Sequence, residues 1–143
     1  MKSFQPKAIR YAHPDETLDA SVFLSLANEV WPGDYRVESV AQALAKTINF
    51  TAWDGQRLIG CARLLTDGYF FGTIPEILVH PAYQGRGIGK RLMESVWELS
   101  PTSLFFGAQP GNEPFFEKLG YTKSIQSYHQ KKKRRGSTSP TDL

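Results

Sequence analysis

The sequence predicts an α/β (α+β) domain in which helices flank a mixed, mostly antiparallel sheet. Two segments indicate this class: an apolar hairpin across Asp54-Gly55-Gln56, and an apolar run at 77–79 that leads through a glycine-rich loop into an amphipathic helix. A third observation sets the size. With 143 residues, 41% of them hydrophobic, the chain can bury one core and has no room for a second domain.

The N-terminal part of the chain is predicted to form one strand and two helices. The strand is expected at 7–11 and the first helix at 18–31, with Asp15 or Thr17 as its cap and Pro32-Gly33-Asp34 after its end. A second amphipathic helix is indicated by apolar residues spaced three and four apart: Val37, Val40, Ala41, Leu44 and Ile48.

The middle of the chain is predicted to be antiparallel. Strands at 50–53 and 57–65 form the hairpin, and a third strand at 69–79 returns after Asp67-Gly68. Pro75 cannot donate to a ladder, so the third strand is expected to bulge or kink there.

The C-terminal part begins with the helix that follows the glycine-rich loop, at about 87–99. A short strand is then expected at 103–107, a short helix at 113–119 and a final strand at 121–129.

Glycines alternate at Gly85, Gly87 and Gly89, between the apolar run and the helix. Without Cβ atoms, several N–H groups can converge on one anion, toward which the positive end of the helix dipole also points. A Walker A loop would need glycine in place of Gln84, and a dinucleotide fingerprint would need its third glycine in place of Lys90. The sequence therefore predicts a phosphate-binding loop of another kind.

Two motifs carry a family resemblance. Residues 84–89 read Gln-Gly-Arg-Gly-Ile-Gly, and residues 112–121 read Asn-Glu-Pro-Phe-Phe-Glu-Lys-Leu-Gly-Tyr. Together they resemble the GNAT N-acetyltransferase superfamily over about residues 7–130. The hairpin segment 57–68 resembles a small bacterial and plastid subgroup of arylalkylamine (serotonin) N-acetyltransferase-like proteins. The resemblance implies the GNAT fold, with central parallel strands that splay apart, and acetyl-coenzyme A as co-substrate.

The resemblance also implies a cofactor site. The pantetheine arm is expected at the backbone of Leu78 and Val79 and at the side chain of Asn112, which could equally be a helix N-cap. The basic residues Arg86, Lys90 and Arg91 either meet the outer phosphate of the nucleotide or lie on a solvated helix face. The pyrophosphate is expected at Gln84, Gly85, Arg86, Gly87, Ile88 and Gly89.

Acetyl transfer to an amine requires a base, because an alkyl amine is protonated at neutral pH. Glu76 is the only acid between residues 69 and 79, and the resembled subgroup carries an acidic residue there. We expect Glu76 to be that base, the alternative being a surface glutamate. Phe116, also expected in the cofactor site, occupies the position of the family's usual tyrosine acid and has no proton to give.

The acceptor is expected on the side of the first two helices and the central hairpin. Trp31, Tyr35, Tyr69 and Phe71 are the predicted substrate-binding residues of an aromatic-rich wall, although core positions are the alternative reading. The expected function is acetyl transfer to a primary amine of a small molecule, such as an arylalkylamine, within a ternary complex. The alternatives are a coenzyme A sensor with weak catalysis, or an acetyltransferase for a peptide or protein amine.

Charge and composition limit the partners. The net charge of +3 is concentrated in residues 131–135, Lys-Lys-Lys-Arg-Arg, while residues 1–130 are about neutral, which argues against a nucleic-acid partner. We therefore expect a domain at 1–130 and a polar, disordered tail at 131–143.

Localisation, metal binding and assembly are also constrained. The sequence contains no apolar run of about 18 residues, so it predicts no membrane span. A single cysteine and no secretion signal predict a cytoplasmic protein. No metal is expected, because the histidines and Cys61 lack ligand spacing. A homodimer is compatible with the resemblance.

Overall fold

A computed structural model describes residues 8–133 of the chain, which divide into two units, 8–106 and 107–133. The first unit contains nine helices and strands in its described part: β1 Arg10–Ala12, α1 Ala20–Val30, α2 Val37–Ala45, β2 Ile48–Asp54, β3 Arg57–Thr66, β4 Gly72–Thr73, β5 Ile77–Val79, α3 Ile88–Leu99 and β6 Leu104–Phe105. A short 3₁₀ turn, Pro81–Tyr83, links β5 to the loop before α3. The second unit contains α4, Glu113–Lys118.

The sheet is mostly antiparallel, as the sequence predicts. Its strand order is β1-β2-β3-β4-β6, and β5 also pairs with β3. The pairs β1–β2, β2–β3, β3–β4 and β3–β5 are antiparallel. The strands on either side of α3 supply one parallel pair, β4 with β6. Within the described residues β5 has no such partner, so the predicted divergence of these strands begins after β4.

The predicted third strand at 69–79 is interrupted in two places. Residue Leu65 of β3 pairs with Thr73, and Ala62 pairs with Ile77, so two residues of β3 face three residues, 74–76, on the other chain segment. This extra residue is a β-bulge, and Pro75 lies within it as expected.

Residues 69–71 also depart from the predicted strand, because they form a loop. The Asp67 carboxylate accepts the N–H groups of Tyr69, Phe70 and Phe71 at 2.9, 2.8 and 3.1 Å. The backbone of Tyr69, and then of Phe71 and Phe70, holds the pKa of Asp67 below its ordinary value. A carboxylate that binds three successive N–H groups competes with the ladder and ends the strand.

Helices cover both faces of the sheet. On one face α3 lies close to β3, because a Cβ on Gly60 would come within 3.1 Å of Ile88 and 3.2 Å of Leu92. On the other face α1 and α2 enclose a core cluster that includes Cys61 and Leu78. The described helices include none long and apolar enough to cross a membrane.

The cap of the first helix differs from the prediction. Asp19, rather than Asp15 or Thr17, caps α1 by accepting the N–H of Ser21 at 2.6 Å. Asp15 is buried instead, and its carboxylate accepts from Thr17 and from Thr51 on β2. The helix therefore begins later than expected, because the earlier acid is already bonded to the sheet.

Smaller corrections concern the ends of elements. The first strand is Arg10–Ala12, and residue 7 of the predicted strand lies outside the described residues. Helix α2 ends at Ala45, so Ile48 begins β2 instead of extending the helix. The helices predicted at 87–99 and 113–119 and the strand at 103–107 are confirmed as α3, α4 and β6, with slightly shorter bounds.

The final strand predicted at 121–129 is wrong. The described part of the second unit contains no strand, and Ile125 and Tyr128 are 76% and 92% exposed. Strand backbone needs hydrogen-bond partners, and a polar segment with exposed apolar side chains gains too little from burial to be held against a sheet. Residues 131–133 of the basic run are exposed, and the rest of the predicted tail, 134–143, lies outside the described residues.

Candidate active site

The loop between β5 and α3 has an unusual backbone. Gly85 and Gly87 have φ angles of 79° and 81°, in the left-handed region that glycine adopts without steric penalty. No atom lies within 4 Å of where a Cβ would stand on either residue, so both glycines face open space. Gly89 differs from its two neighbours, because it is buried in the first turn of α3 and has no positive φ.

The N-terminus of α3 has properties suited to an anion. Gly87 is the N-cap residue and provides no side-chain hydrogen bond, and the first turn contains no acidic residue. The first N–H groups of a helix have no intrahelical acceptor and lie at the positive end of its dipole. The buried side chain of Ile88 and the absence of a side chain on Gly60 fix this end of the helix against β3.

Strand β5 has one edge without a strand partner among the described residues. Arg63 N–H donates to the Glu76 carbonyl at 3.3 Å, and His80 N–H donates to the Ile59 carbonyl at 2.8 Å. In an antiparallel ladder, hydrogen-bonded residue pairs alternate with non-bonded pairs. The backbone N–H and C=O of Leu78 therefore also point toward β3. The backbone groups of Ile77 and Val79 therefore point toward the open edge.

Two side chains stabilise the stem of the loop. The Gln84 side-chain amide donates to the Val79 carbonyl at 3.0 Å, which closes the loop back on the end of β5. His80 Nδ1 accepts the N–H of Ala82 at 3.0 Å and so caps the 3₁₀ turn.

The basic residues near the loop have different environments. Arg86 lies 5.2 Å above the ring of Tyr83, whose hydroxyl donates to the Asp54 carboxylate. Arg91 lies 5.7 Å above the ring of Tyr11 on β1, while Lys90 is exposed. The hydrogen bond to Asp54 raises the pKa of Tyr83 above its ordinary value.

Glu76 forms an ion pair that the sequence did not indicate. Its two carboxylate oxygens accept from Arg63 Nε and Arg63 Nη2, the second contact being 2.7 Å long. The Arg63 side chain is 16% exposed and that of Glu76 is 31% exposed. Alternation along β3 places Arg63 on the face of Cys61, which is the face covered by α1 and α2.

Asp15 and Cys61 are two further titratable groups on that face, and both are buried. Burial raises the pKa of Asp15, but hydrogen bonds from Thr51 and Thr17 outweigh it, so the net shift is downward. Burial, and then the charge of Glu76, raise the pKa of the Cys61 thiol well above its ordinary value. Cys61 is therefore an unreactive core residue, whereas the Glu76 carboxylate next to β5 is partly exposed.

The predicted aromatic wall falls into two separate groups. Trp31 is 56% exposed, and its carbonyl accepts the hydroxyl of Tyr35 at 2.7 Å. Tyr35 also packs against the core cluster that contains Cys61 and Leu78, on the same sheet face as Arg63. In the loop at 69–71, Tyr69 is 80% exposed, and Phe71 stacks on Phe105 with ring centroids 6.0 Å apart.

Asn112 and Phe116 belong to the second unit. Asn112 is the N-cap residue of α4 and makes no side-chain capping bond. Phe116 lies in α4 with its ring 5.0 Å from that of Phe115 and 6.3 Å from that of Tyr121. Their roles in cofactor binding stay predictions. The described residues include no group of three potential ligand side chains that could hold a metal ion.

These features define a class of protein. The acetyltransferase (GNAT) domain profile matches residues 45–123, more than half of the chain, and the chain belongs to this family. The match covers the hairpin, the bulge, the glycine loop and α3.

Particular relatives extend the comparison. An uncharacterised N-acetyltransferase, ycf52, of Porphyra purpurea is 38% identical over 73 residues, which cover 47% of this chain and 41% of that protein. The chain thus spans about two fifths of the length of the first curated relatives it matches. Neither the family nor this relative specifies an arylalkylamine acceptor.

Solved structures share the fold. A probable acetyltransferase of unknown function from methicillin-resistant Staphylococcus aureus has a TM-score of 0.72 at 20% identity, covering 86% of this chain and 99% of that one. The aminoglycoside N-acetyltransferase AAC(6')-Iy, solved with a coenzyme A bisubstrate analogue, has a TM-score of 0.71 at 16% identity, covering 88% and 99%. At these identities the likeness establishes the GNAT fold.

Proposed function

We propose that this protein transfers the acetyl group of acetyl-coenzyme A to a primary amine of a small molecule. One observation carries the proposal: the two left-handed glycines lead into an uncapped helix N-terminus beside the open edge of β5, and Glu76 lies at the other end of that strand. A loop suited to phosphate and a carboxylate are thus joined by a short strand, one edge of which has no strand partner among the described residues.

The cofactor would be held mainly by backbone. N–H groups of residues 85–89 would bind the pyrophosphate, with Arg86 able to reach an outer phosphate. Pantetheine contains amide groups and can pair with a strand edge as a peptide does. The ladder favours Ile77 and Val79 for this pairing over Leu78, whose backbone groups face β3.

The reaction needs one proton to be removed before bond formation. The acceptor ammonium gives a proton to Glu76, directly or through water, and the amine lone pair then attacks the thioester carbonyl. The C–N bond forms, the C–S bond breaks, and the second amine proton goes to the departing thiolate. Thiols have an ordinary pKa of about 8.5, so this leaving group needs little help and the phenylalanine at 116 is compatible with turnover. A backbone N–H at the open edge of β5 is suited to the developing oxyanion.

The acceptor would enter on the face covered by α1 and α2. Tyr35 and Trp31 supply aromatic surface there, which suits an arylalkylamine. Tyr69 and Phe71, in the separate loop at 69–71, stay predicted substrate-binding residues. We further propose that the protein acts in the cytoplasm.

The test is thiol release from acetyl-coenzyme A over a panel of arylalkylamines, polyamines, aminoglycosides and peptides. Glu76→Gln should lower kcat by about 10²- to 10⁴-fold, with the KM for acetyl-coenzyme A nearly unchanged. Glu94→Gln is the matched control, because Glu94 is exposed on α3. Tight coenzyme A binding without turnover on any amine would instead identify a coenzyme A sensor.

A further inference from the structure

The surroundings of Glu76 restrict which acceptor can reach it, a conclusion that rests on the proposed function. Both carboxylate oxygens of Glu76 are bonded to the Arg63 guanidinium. An amine that approaches Glu76 as an ammonium ion must therefore come close to a second, permanently charged cation. Two like charges about 4 Å apart repel each other by about 1 to 4 kcal/mol at the dielectric constants of water and of a protein surface.

Two other acids on this sheet face, Glu29 and Asp15, have partners of their own. The Glu29 carboxylate on α1 lies 3.9 Å from His80 Nε2, at the opposite end of β5 from Arg63. Asp15, whose charge also acts on Cys61, is buried and bonded to hydroxyl groups of Thr17 and Thr51. Asn49, which pairs with Arg63 across β2 and β3, uses its amide to bond the Leu44 carbonyl and the Thr47 hydroxyl. Arg63 and Glu76 are both partly exposed, so a ligand can reach the pair from solvent.

An acceptor that carries its own carboxylate removes the conflict. If that carboxylate binds the Arg63 guanidinium, Glu76 can pair with the neighbouring ammonium group. Each charge then has a partner of opposite sign. The Arg63–Glu76 pair is replaced by two ion pairs of the same kind. A planar guanidinium favours this exchange because it binds any carboxylate in the same bidentate geometry.

We propose that the acceptor is an amine with a carboxylate on the adjacent carbon, an α-amino acid in charge pattern, and that Arg63 is the residue that selects it. The ammonium loses one proton to Glu76, the nitrogen attacks the thioester carbonyl, and coenzyme A leaves as a thiolate that takes up the second proton. The product is an N-acetyl amino acid, which keeps its carboxylate on Arg63.

The experiment compares acceptors that differ only by a carboxylate: tryptophan with tryptamine, phenylalanine with phenethylamine, and alanine with ethylamine. We expect kcat/KM for at least one amino acid to exceed that of its amine by about tenfold or more, equivalent to about 1.4 kcal/mol. Arg63→Gln should abolish or invert this ratio, and Arg63→Lys should keep part of it, because lysine retains the charge without the fork. The ratio of two substrates in one variant does not depend on how much of that variant is folded.

A second readout needs no turnover. With coenzyme A present, N-acetyltryptophan should bind more tightly than N-acetyltryptamine by titration calorimetry, and Arg63→Gln should remove the difference. Turnover of amines with no carboxylate preference, unchanged in Arg63→Gln, would overturn the assignment of Arg63 and leave the acetyltransferase intact. Absence of both coenzyme A binding and turnover would overturn the proposed function, and this inference with it.

Discussion

The glycine loop and the Arg63–Glu76 pair lie at opposite ends of β5 and are built in different ways. The loop is local, since residues 84–89 are consecutive and their contribution is backbone geometry. The ion pair joins side chains from two strands and exists because the bulge at 74–76 brings Glu76 opposite Arg63. A site made of backbone should depend on glycine conformation, whereas a site made of side chains should depend on charge.

The largest expected effect concerns the glycine loop, the part of the site that is made of backbone. Gly87→Ala places a Cβ on a residue with a φ of 81°, which costs about 1 to 2 kcal/mol unless the loop changes shape. We expect coenzyme A to bind about 30-fold more weakly by titration calorimetry, because the converging N–H groups move apart. Gly68→Ala is the control: its φ is 86° and it lies in the 67–71 loop. Equal affinities for the two variants would mean that the left-handed glycine does not shape the phosphate site.

The next largest effect concerns Asp15, a carboxylate that we expect to stabilise the fold and not to take part in the reaction as Glu76 does. Asp15→Asn should reduce the free energy of unfolding by about 1 to 2 kcal/mol at pH 7, since a buried charged acceptor for Thr17 and Thr51 is lost. The pKa of Asp15 is lower in the folded protein than its ordinary value of 3.8, so its stabilisation is complete above that value and disappears as the pH falls through the folded pKa. Urea unfolding at pH 7 and near pH 3 measures this, and a penalty that grows in acid would contradict the assignment.

A double-mutant cycle on the Arg63–Glu76 pair should give a smaller free-energy change. Arg63→Gln, Glu76→Gln and the double variant should show a coupling energy of about 1 kcal/mol in chemical denaturation, because the pair is bidentate but partly exposed to solvent. The coupling should weaken in high salt. Strictly additive effects would mean that the pair contributes nothing to the stability of the fold.

The smallest effect concerns the side-chain bond that closes the loop. Gln84→Ala removes one neutral hydrogen bond to the Val79 carbonyl and should weaken coenzyme A binding about threefold, with little change in melting temperature because Gln84 is exposed. A loss as large as that of Gly87→Ala would show that this side chain, rather than the glycine backbone, organises the loop.

The contrast between a local loop and an ion pair that joins two strands also explains which features the sequence could predict. The loop, α3 and the bulge at Pro75 follow from neighbouring residues, since glycine, proline and apolar spacing act over a few positions. Arg63 was missed as the partner of Glu76 because the contact depends on the register of two strands. With hindsight, a charged residue inside the apolar run 58–65 was the available signal.

Competition between local and tertiary interactions accounts for other errors. Asp15 could have capped a helix, but the sheet takes its oxygens through Thr51. The strand expected at 121–129 had suitable residue types, yet pattern alone cannot supply a ladder partner.

The burial of Cys61 has a practical consequence. The chain contains one cysteine, and its thiol lies in the centre of β3, 1% exposed and with its pKa raised by burial. A thiol in that state does not react with a disulfide reagent until β3 leaves the sheet, so the folded protein should add no background to a colorimetric assay of released coenzyme A. The rate at which the reagent labels Cys61 therefore reports how often the sheet opens. Mass spectrometry can measure this rate without an engineered cysteine.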